Sequence, residues 1–206
     1  MIVKICGITR PQDAERAAAL GATALGFIFW PSSPRRIAPA AARAIARILP
    51  ASVMKVGVFV DASADELART LEEAGLDAVQ LHGSESPAMA RGLEARVIKA
   101  IPLGSQDAEA QIAAWTGTTL LLDAHDPVRR GGTGRVVDWE QAARLARRHE
   151  VILAGGLNPD NVAEAVRRVR PAGIDVSSGV EQTPGVKDLV KLAALFDALA
   201  GVEVGP

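Results

Sequence analysis

Apolar residues along this chain fall in short continuous runs rather than in alternating single positions. A first run, Ile2 to Ile5, is followed by Ala24 to Phe29, Met54 to Val60, Ala78 to Leu81 and Val97 to Ile101. Thr119 to Leu122, Val151 to Ala154 and Gly173 to Val176 complete the set. Runs of this length read as strands buried on both faces. Amphipathic stretches with helix punctuation lie between them. Pro11 to Leu20 carries a first-turn proline and is stopped by Gly21. Pro39 opens an alanine-rich helix that ends near Leu49-Pro50, and Ser63 with Glu66 matches a capping box for a helix to Glu73. Further helices are predicted after Ser86-Pro87, from about Gln106 to Trp115, and from Trp139 to Arg148. The next is capped by Asn158-Pro159, and the last runs from about Val186 to Leu199.

Strand and helix alternating in this way predict a parallel sheet covered by helices. About eight such units in 206 residues give an α/β protein, a compact (β/α)8 TIM barrel, with residues 1–206 as a single domain. An open doubly wound sheet would want a glycine fingerprint after the first strand, and Cys6-Gly7-Ile8-Thr9 is not one.

Composition narrows the partners. Lys+Arg 23 against Asp+Glu 24 leaves a net charge of −1, with no footprint for nucleic acid or an anionic membrane. A lone cysteine excludes an internal disulfide and fits a reducing compartment. No signal segment precedes the first strand and no apolar run reaches the roughly 18 residues of a membrane span. A cytoplasmic protein, monomeric or homodimeric, with a small-molecule partner is the expectation.

In a barrel, residues just after each strand converge on one rim. Here they are Cys6, Arg35, His82, Asp123, Gly155-Gly156 and Ser177-Ser178-Gly179. The turns after strands seven and eight sit where barrels often bind phosphate through backbone N–H groups, though ordinary tight turns have the same composition. Cys6 and Asp123 stand on strands one and six. A thiolate there can act as nucleophile or general base, and a carboxyl as its acid partner. The bland readings are a small buried side chain for Cys6 and a helix cap or ion pair for Asp123. Asp123, His125 and Asp126 also form a D-x-H-D cluster, but His82, His125 and His149 show no zinc spacing, so no metal is expected. His149 lies at a helix end and needs no other role. Arg35 and Arg36 are either solvated or present one planar fork to a carboxylate. The Gly131-Gly132-Thr133-Gly134 loop lacks the lysine and spacing of a P-loop and reads as a mobile cover. The tryptophans and phenylalanines read mostly as core.

Taken in order, these segments resemble the phosphoribosylanthranilate isomerase family. The matching stretches are Lys4 to Thr9, Gly26 to Phe29 with Ser33-Pro34-Arg35, and Val79 to Gly83. Leu121 to Asp123, Gly131 to Gly134, Ala154 to Pro159 and Asp175 to Glu181 follow. The resemblance covers essentially the whole chain; Ala124-His125-Asp126 is less typical. It implies a cofactor-free Amadori rearrangement in tryptophan biosynthesis. N-(5-phosphoribosyl)anthranilate would become 1-(2-carboxyphenylamino)-1-deoxyribulose 5-phosphate. By this resemblance Asp123 is the general acid, Cys6 the general base, and Arg35 the group that binds the anthranilate carboxylate. His82 contacts substrate, and Gly155, Gly156, Ser177, Ser178 and Gly179 take the phosphate. A thiol of pKa ~8.5 would need only a modest depression to serve as the base, whereas an acid of pKa ~3.9 must be raised or protonated on binding. The competing readings are a metal-dependent pentose-phosphate epimerase using Asp123 and His125, and a catalytically silent phosphosugar-binding barrel.

Overall fold

The computed structural model describes residues 1–124 and 137–202. Eight parallel strands close into a barrel in the order β1-β2-β3-β4-β5-β6-β7-β8. They are β1 Ile2–Cys6, β2 Ala24–Ile28, β3 Met54–Phe59, β4 Ala78–Leu81, β5 Arg96–Leu103, β6 Thr119–Ala124, β7 Val151–Leu153 and β8 Gly173–Val176. The seam is the parallel pairing of β1 with β8, from Ile2 opposite Gly173 to Ile5 opposite Val176. The helices between them are α1 Pro11–Leu20, α2 Pro39–Ile48, α3 Ala64–Ala74, α4 Pro87–Ala90, α5 Ala108–Ala114, α6 Trp139–Ala146, α7 Val162–Val169 and α8 Leu189–Ala200. No helix among the described residues is long and apolar enough to cross a membrane.

Local sequence explains the well-placed boundaries. Ser63 Oγ accepts from Glu66 N at 3.2 Å at the start of α3, and Gly75 closes it in a left-handed conformation. Two predicted helix starts are corrected. Asn158 does not cap α7: its Oδ1 accepts from Asp160 N, and its own N–H donates to Asn161 Oδ1. These short polar side chains satisfy the loop backbone, so the helix waits until Val162. Val186 does not open α8 either. Val186–Lys187 forms β10, antiparallel to β9 Glu181–Thr183, and Asp188 caps the helix by accepting from Val190 N and Lys191 N.

The core has two compartments. The larger lies between strands and helices and includes Val3, Ile5, Phe27, Leu81 and Leu122. The smaller fills the barrel with short or branched side chains such as Ala24, Val56, Ala78, Ile98 and Ile152. Inward and outward positions alternate along each strand, which sends Val3 and Ile5 outward and Lys4 and Cys6 inward.

A buried ion pair fixes the loop after β4. Lys99 Nζ lies 2.8 Å from Glu85 Oε2, with both side chains 1% exposed. Glu85 also accepts from the N–H groups of Asp61 and Gly83, while Lys99 donates to the Gly83 carbonyl. Removing one member of such a pair strands the other charge out of water. Glu85→Ala is therefore expected to lose about 3–5 kcal/mol of unfolding free energy in a denaturant titration. The double variant Glu85→Met with Lys99→Met is expected to recover much of that loss.

Candidate active site

The carboxyl ends of the strands open on one cavity of about 470 Å³. Eight of the nine rim residues read from the sequence line it: Cys6, Arg35, His82, Asp123, Gly155, Gly156, Ser177 and Ser178. The ninth, Gly179, stands behind the wall. A Cβ on Gly179 would overlap the Leu157 carbonyl oxygen, so glycine lets the turn after β8 press against the turn after β7. The two turns proposed from sequence to share one ligand group are thus packed together. His125, Asp126 and Gly131 to Gly134 lie outside the described residues. Among the described residues no three His, Cys, Asp or Glu side chains gather as metal ligands.

Cys6 ends β1, where the N–H groups of Gly7 and Ile8 both donate to the Gly26 carbonyl at 3.0 Å. Its side chain is buried, 5% exposed. Burial pushes the thiol above its ordinary range; the Lys4 ammonium opposes this and the Asp175 carboxylate adds to it. The modest depression that would suit a base is not found, because a thiolate taken out of water loses more than the Lys4 and Lys187 cations return.

Across the mouth, Asp123 Oδ1 accepts from Ala124 N at 2.8 Å, and Oδ2 faces His82 Nε2 at 3.5 Å. The other ring nitrogen of His82 meets Gln80 Nε2 at 2.9 Å. An amide donating to Nδ1 would put the imidazole proton on Nε2, the nitrogen that faces Asp123.

Arg35 is held along one edge. Its Nε and Nη2 donate to the Glu181 carboxylate, the shortest contact being 2.7 Å, and Glu181 accepts again from Lys187 Nζ at 2.9 Å. Lys187 Nζ also donates to the carbonyls of Cys6 at 2.6 Å and Ser177 at 3.2 Å. Burial alone would raise the Glu181 carboxyl, but Arg35 and Lys187 outweigh it and hold the group below the usual carboxylate range. Burial draws the Lys187 ammonium down against the pull of Glu181.

Sequence reasoning missed a tier of polar residues below the rim. Lys4, Gln80 and Asp175 sit on β1, β4 and β8, each two positions before a rim residue. Polar side chains inside otherwise apolar strands, at inward parity with the rim, were the available signal. Glu181 and Lys187 were hidden because β9 and β10 read as loop and helix. Trp30, taken with the other tryptophans as core, lines the cavity instead, because it stands in the loop after β2.

A closed parallel barrel with a thiol, carboxyl, imidazole and guanidinium around one carboxyl-terminal cavity has the architecture of a (β/α)8-barrel enzyme. The model of the family described as N-(5'phosphoribosyl)anthranilate (PRA) isomerase matches residues 3–198, and the chain belongs to that family. The N-(5'-phosphoribosyl)anthranilate isomerase of Geobacter sp. (strain M21) is 50% identical over 190 residues, covering 92% of this chain and 93% of that protein. The crystal structure of the phosphoribosyl anthranilate isomerase from Thermus thermophilus superposes with a TM-score of 0.89 at 48% identity, over 97% of this chain and 98% of that one. A phosphoribosyl anthranilate isomerase in complex with reduced 1-(o-carboxyphenylamino)-1-deoxyribulose 5-phosphate gives a TM-score of 0.88 at 36% identity, over 98% and 100% of the two chains.

The Glu181 shift fixes the sign of a pH effect. Its folded pKa lies below the unfolded value of ~4.3. Its stabilisation is therefore complete above that pH and disappears as pH falls through the folded value. Glu181→Gln is expected to be less stable than wild type at neutral pH, with the gap narrowing below about pH 4. Denaturant unfolding across pH checks this; a gap of constant size would show that charge is not its source.

Proposed function

We propose that this chain, as one catalytic domain, converts N-(5-phosphoribosyl)anthranilate to 1-(2-carboxyphenylamino)-1-deoxyribulose 5-phosphate, with Cys6 and Asp123 as its acid–base pair. Membership of the isomerase family assigns the reaction. The observation that supports these residues is that Cys6, Asp123, Arg35 and the turns after β7 and β8 face one cavity.

Asp123, as the carboxylic acid, gives its proton to the furanose ring oxygen. The C1′–O bond breaks, and the anilino nitrogen lone pair forms a C1′=N iminium. The Cys6 thiolate then removes the C2′ proton. The C2′–H electron pair forms a C1′=C2′ bond while the iminium π electrons return to nitrogen. The resulting enolamine gains a proton at C1′ and loses one from the C2′ hydroxyl, which leaves the ketone. The iminium is itself the electron sink, so the chemistry asks for no cofactor.

The site's electrostatics fit this order of events. With the thiol raised, thiolate is a minor species near neutrality in the empty site. The cationic iminium forming in front of it favours the thiolate, so more of the base form is present after ring opening. His82 faces Asp123 and reaches the same end of the substrate. The Nε–Nη2 edge of Arg35 is engaged by Glu181, which leaves Nη1 to meet the anthranilate carboxylate. Gly155, Gly156, Ser177 and Ser178 offer backbone and hydroxyl donors to the phosphate, and Gly179 lets their turns approach. The relative crystallised with a reduced product carries those same carboxylate and phosphate groups on its ligand.

The test follows loss of anthranilate-type fluorescence after phosphoribosylanthranilate is generated in situ. Cys6→Ala and Asp123→Asn are each expected to lower kcat by about 10²–10⁴-fold with KM little changed. Arg35→Met is expected to raise KM by about 10–100-fold. Wild-type turnover in Cys6→Ala would remove the thiol from the mechanism, and loss of activity on adding EDTA would favour the metal-dependent epimerase reading.

A further inference from the structure

Directly below Cys6 the barrel interior holds an ion pair that its packing does not require. Lys4 Nζ lies 3.0 Å from Asp175 Oδ1, with side chains 0% and 9% exposed. The two residues are register partners across the β1–β8 seam. The contact is one of charge rather than an aligned hydrogen bond, and neither Lys4 Nζ nor Asp175 Oδ1 has a hydrogen-bond partner among the described residues. The neighbouring interior is alanine, valine and isoleucine. Ion pairs in such surroundings seldom improve stability over apolar side chains of similar size. The thiol of Cys6 is the ionisable neighbour this pair meets toward the cavity.

Gly26 defines the approach. A Cβ at that position would stand 2.7 Å from Cys6 Sγ and 3.0 Å from Lys4 Nζ, so thiol and ammonium crowd the same point of the wall. The other charged groups around the thiol are Asp175 on β8 and Lys187 on β10, whose Nζ meets the Cys6 carbonyl. Arg35, His82 and Asp123 line the same cavity.

We infer that Lys4 is a positioning residue for the proposed base: its buried ammonium, anchored by Asp175, stabilises the Cys6 thiolate. The anchor is what keeps the charge in place. Burial draws the Lys4 ammonium down, but Asp175 and then Cys6 outweigh it and hold the group above its ordinary range. Asp175 also opposes the thiolate directly, and the pair therefore sets the thiol between two contrary fields. This inference rests on the reading of Cys6 as the base.

The composition gives a clean readout. The chain has one cysteine and no tyrosine, so thiolate ultraviolet absorbance on titration reports Cys6 without phenolate interference. Lys4→Met is expected to move that titration to higher pH and slow alkylation of the thiol at neutral pH roughly tenfold. Lys4→Arg is expected to keep most of the wild-type behaviour. In turnover, Lys4→Met is expected to lower kcat and shift its basic limb upward while KM stays near wild type. A Lys4→Met protein that melts at lower temperature, with its thiol titration and alkylation unchanged, would overturn the inference. Lys4→Gln supplies the second trial if Lys4→Met does not fold, and an unchanged thiol titration there would overturn it as well. The thiol titration decides this inference alone, whereas turnover of Cys6→Ala decides the reading it rests on.

Discussion

The pairing of β1 with β8 is the constraint on which the rest depends. Closing the sheet turns eight strand ends into a ring, and only a ring brings residues from β1, β4, β6, β7 and β8 to one cavity. The seam also chooses the neighbours. Lys4 faces Asp175 because the register puts them side by side. Cys6, two positions on, then stands at the mouth with that pair beneath it. A one-residue slip would turn Lys4 and Cys6 outward into the apolar layer under the helices.

The mouth combines three electrostatic environments within one small volume. Around Cys6, low polarity and a buried ion pair set a reluctant thiol. Around Asp123, a backbone N–H supplies a hydrogen bond and an imidazole faces the other carboxylate oxygen. Around Arg35, the Glu181 carboxylate and the Lys187 ammonium fix one edge of the guanidinium. Differences of this kind let neighbouring ionisable groups carry opposite roles at one pH.

The strand runs were legible because a strand buried on both faces has to be apolar throughout, and β4 and β8 fall where those runs do. The rim followed from counting to the end of each run. The tier beneath it was not legible, because a lysine between Val3 and Ile5 looks like a flaw in a strand until the direction of its side chain is known. Asn158 was misread for a related reason: asparagine favours helix caps and polar turns alike, and only the third dimension shows which backbone groups it meets. The β9–β10 hairpin escaped because two-residue pairing leaves no periodicity to detect.

The hydrogen bond from Lys187 to the Cys6 carbonyl joins residues 181 positions apart. During synthesis, β1 leaves the ribosome before the other seven barrel strands, and its seam partner β8 leaves after them. A nascent chain that has emerged only through β7 has neither the seam nor the lysine that binds the Cys6 carbonyl. The site is therefore the latest part of the barrel to come into being, and no partly made molecule carries a working fraction of it.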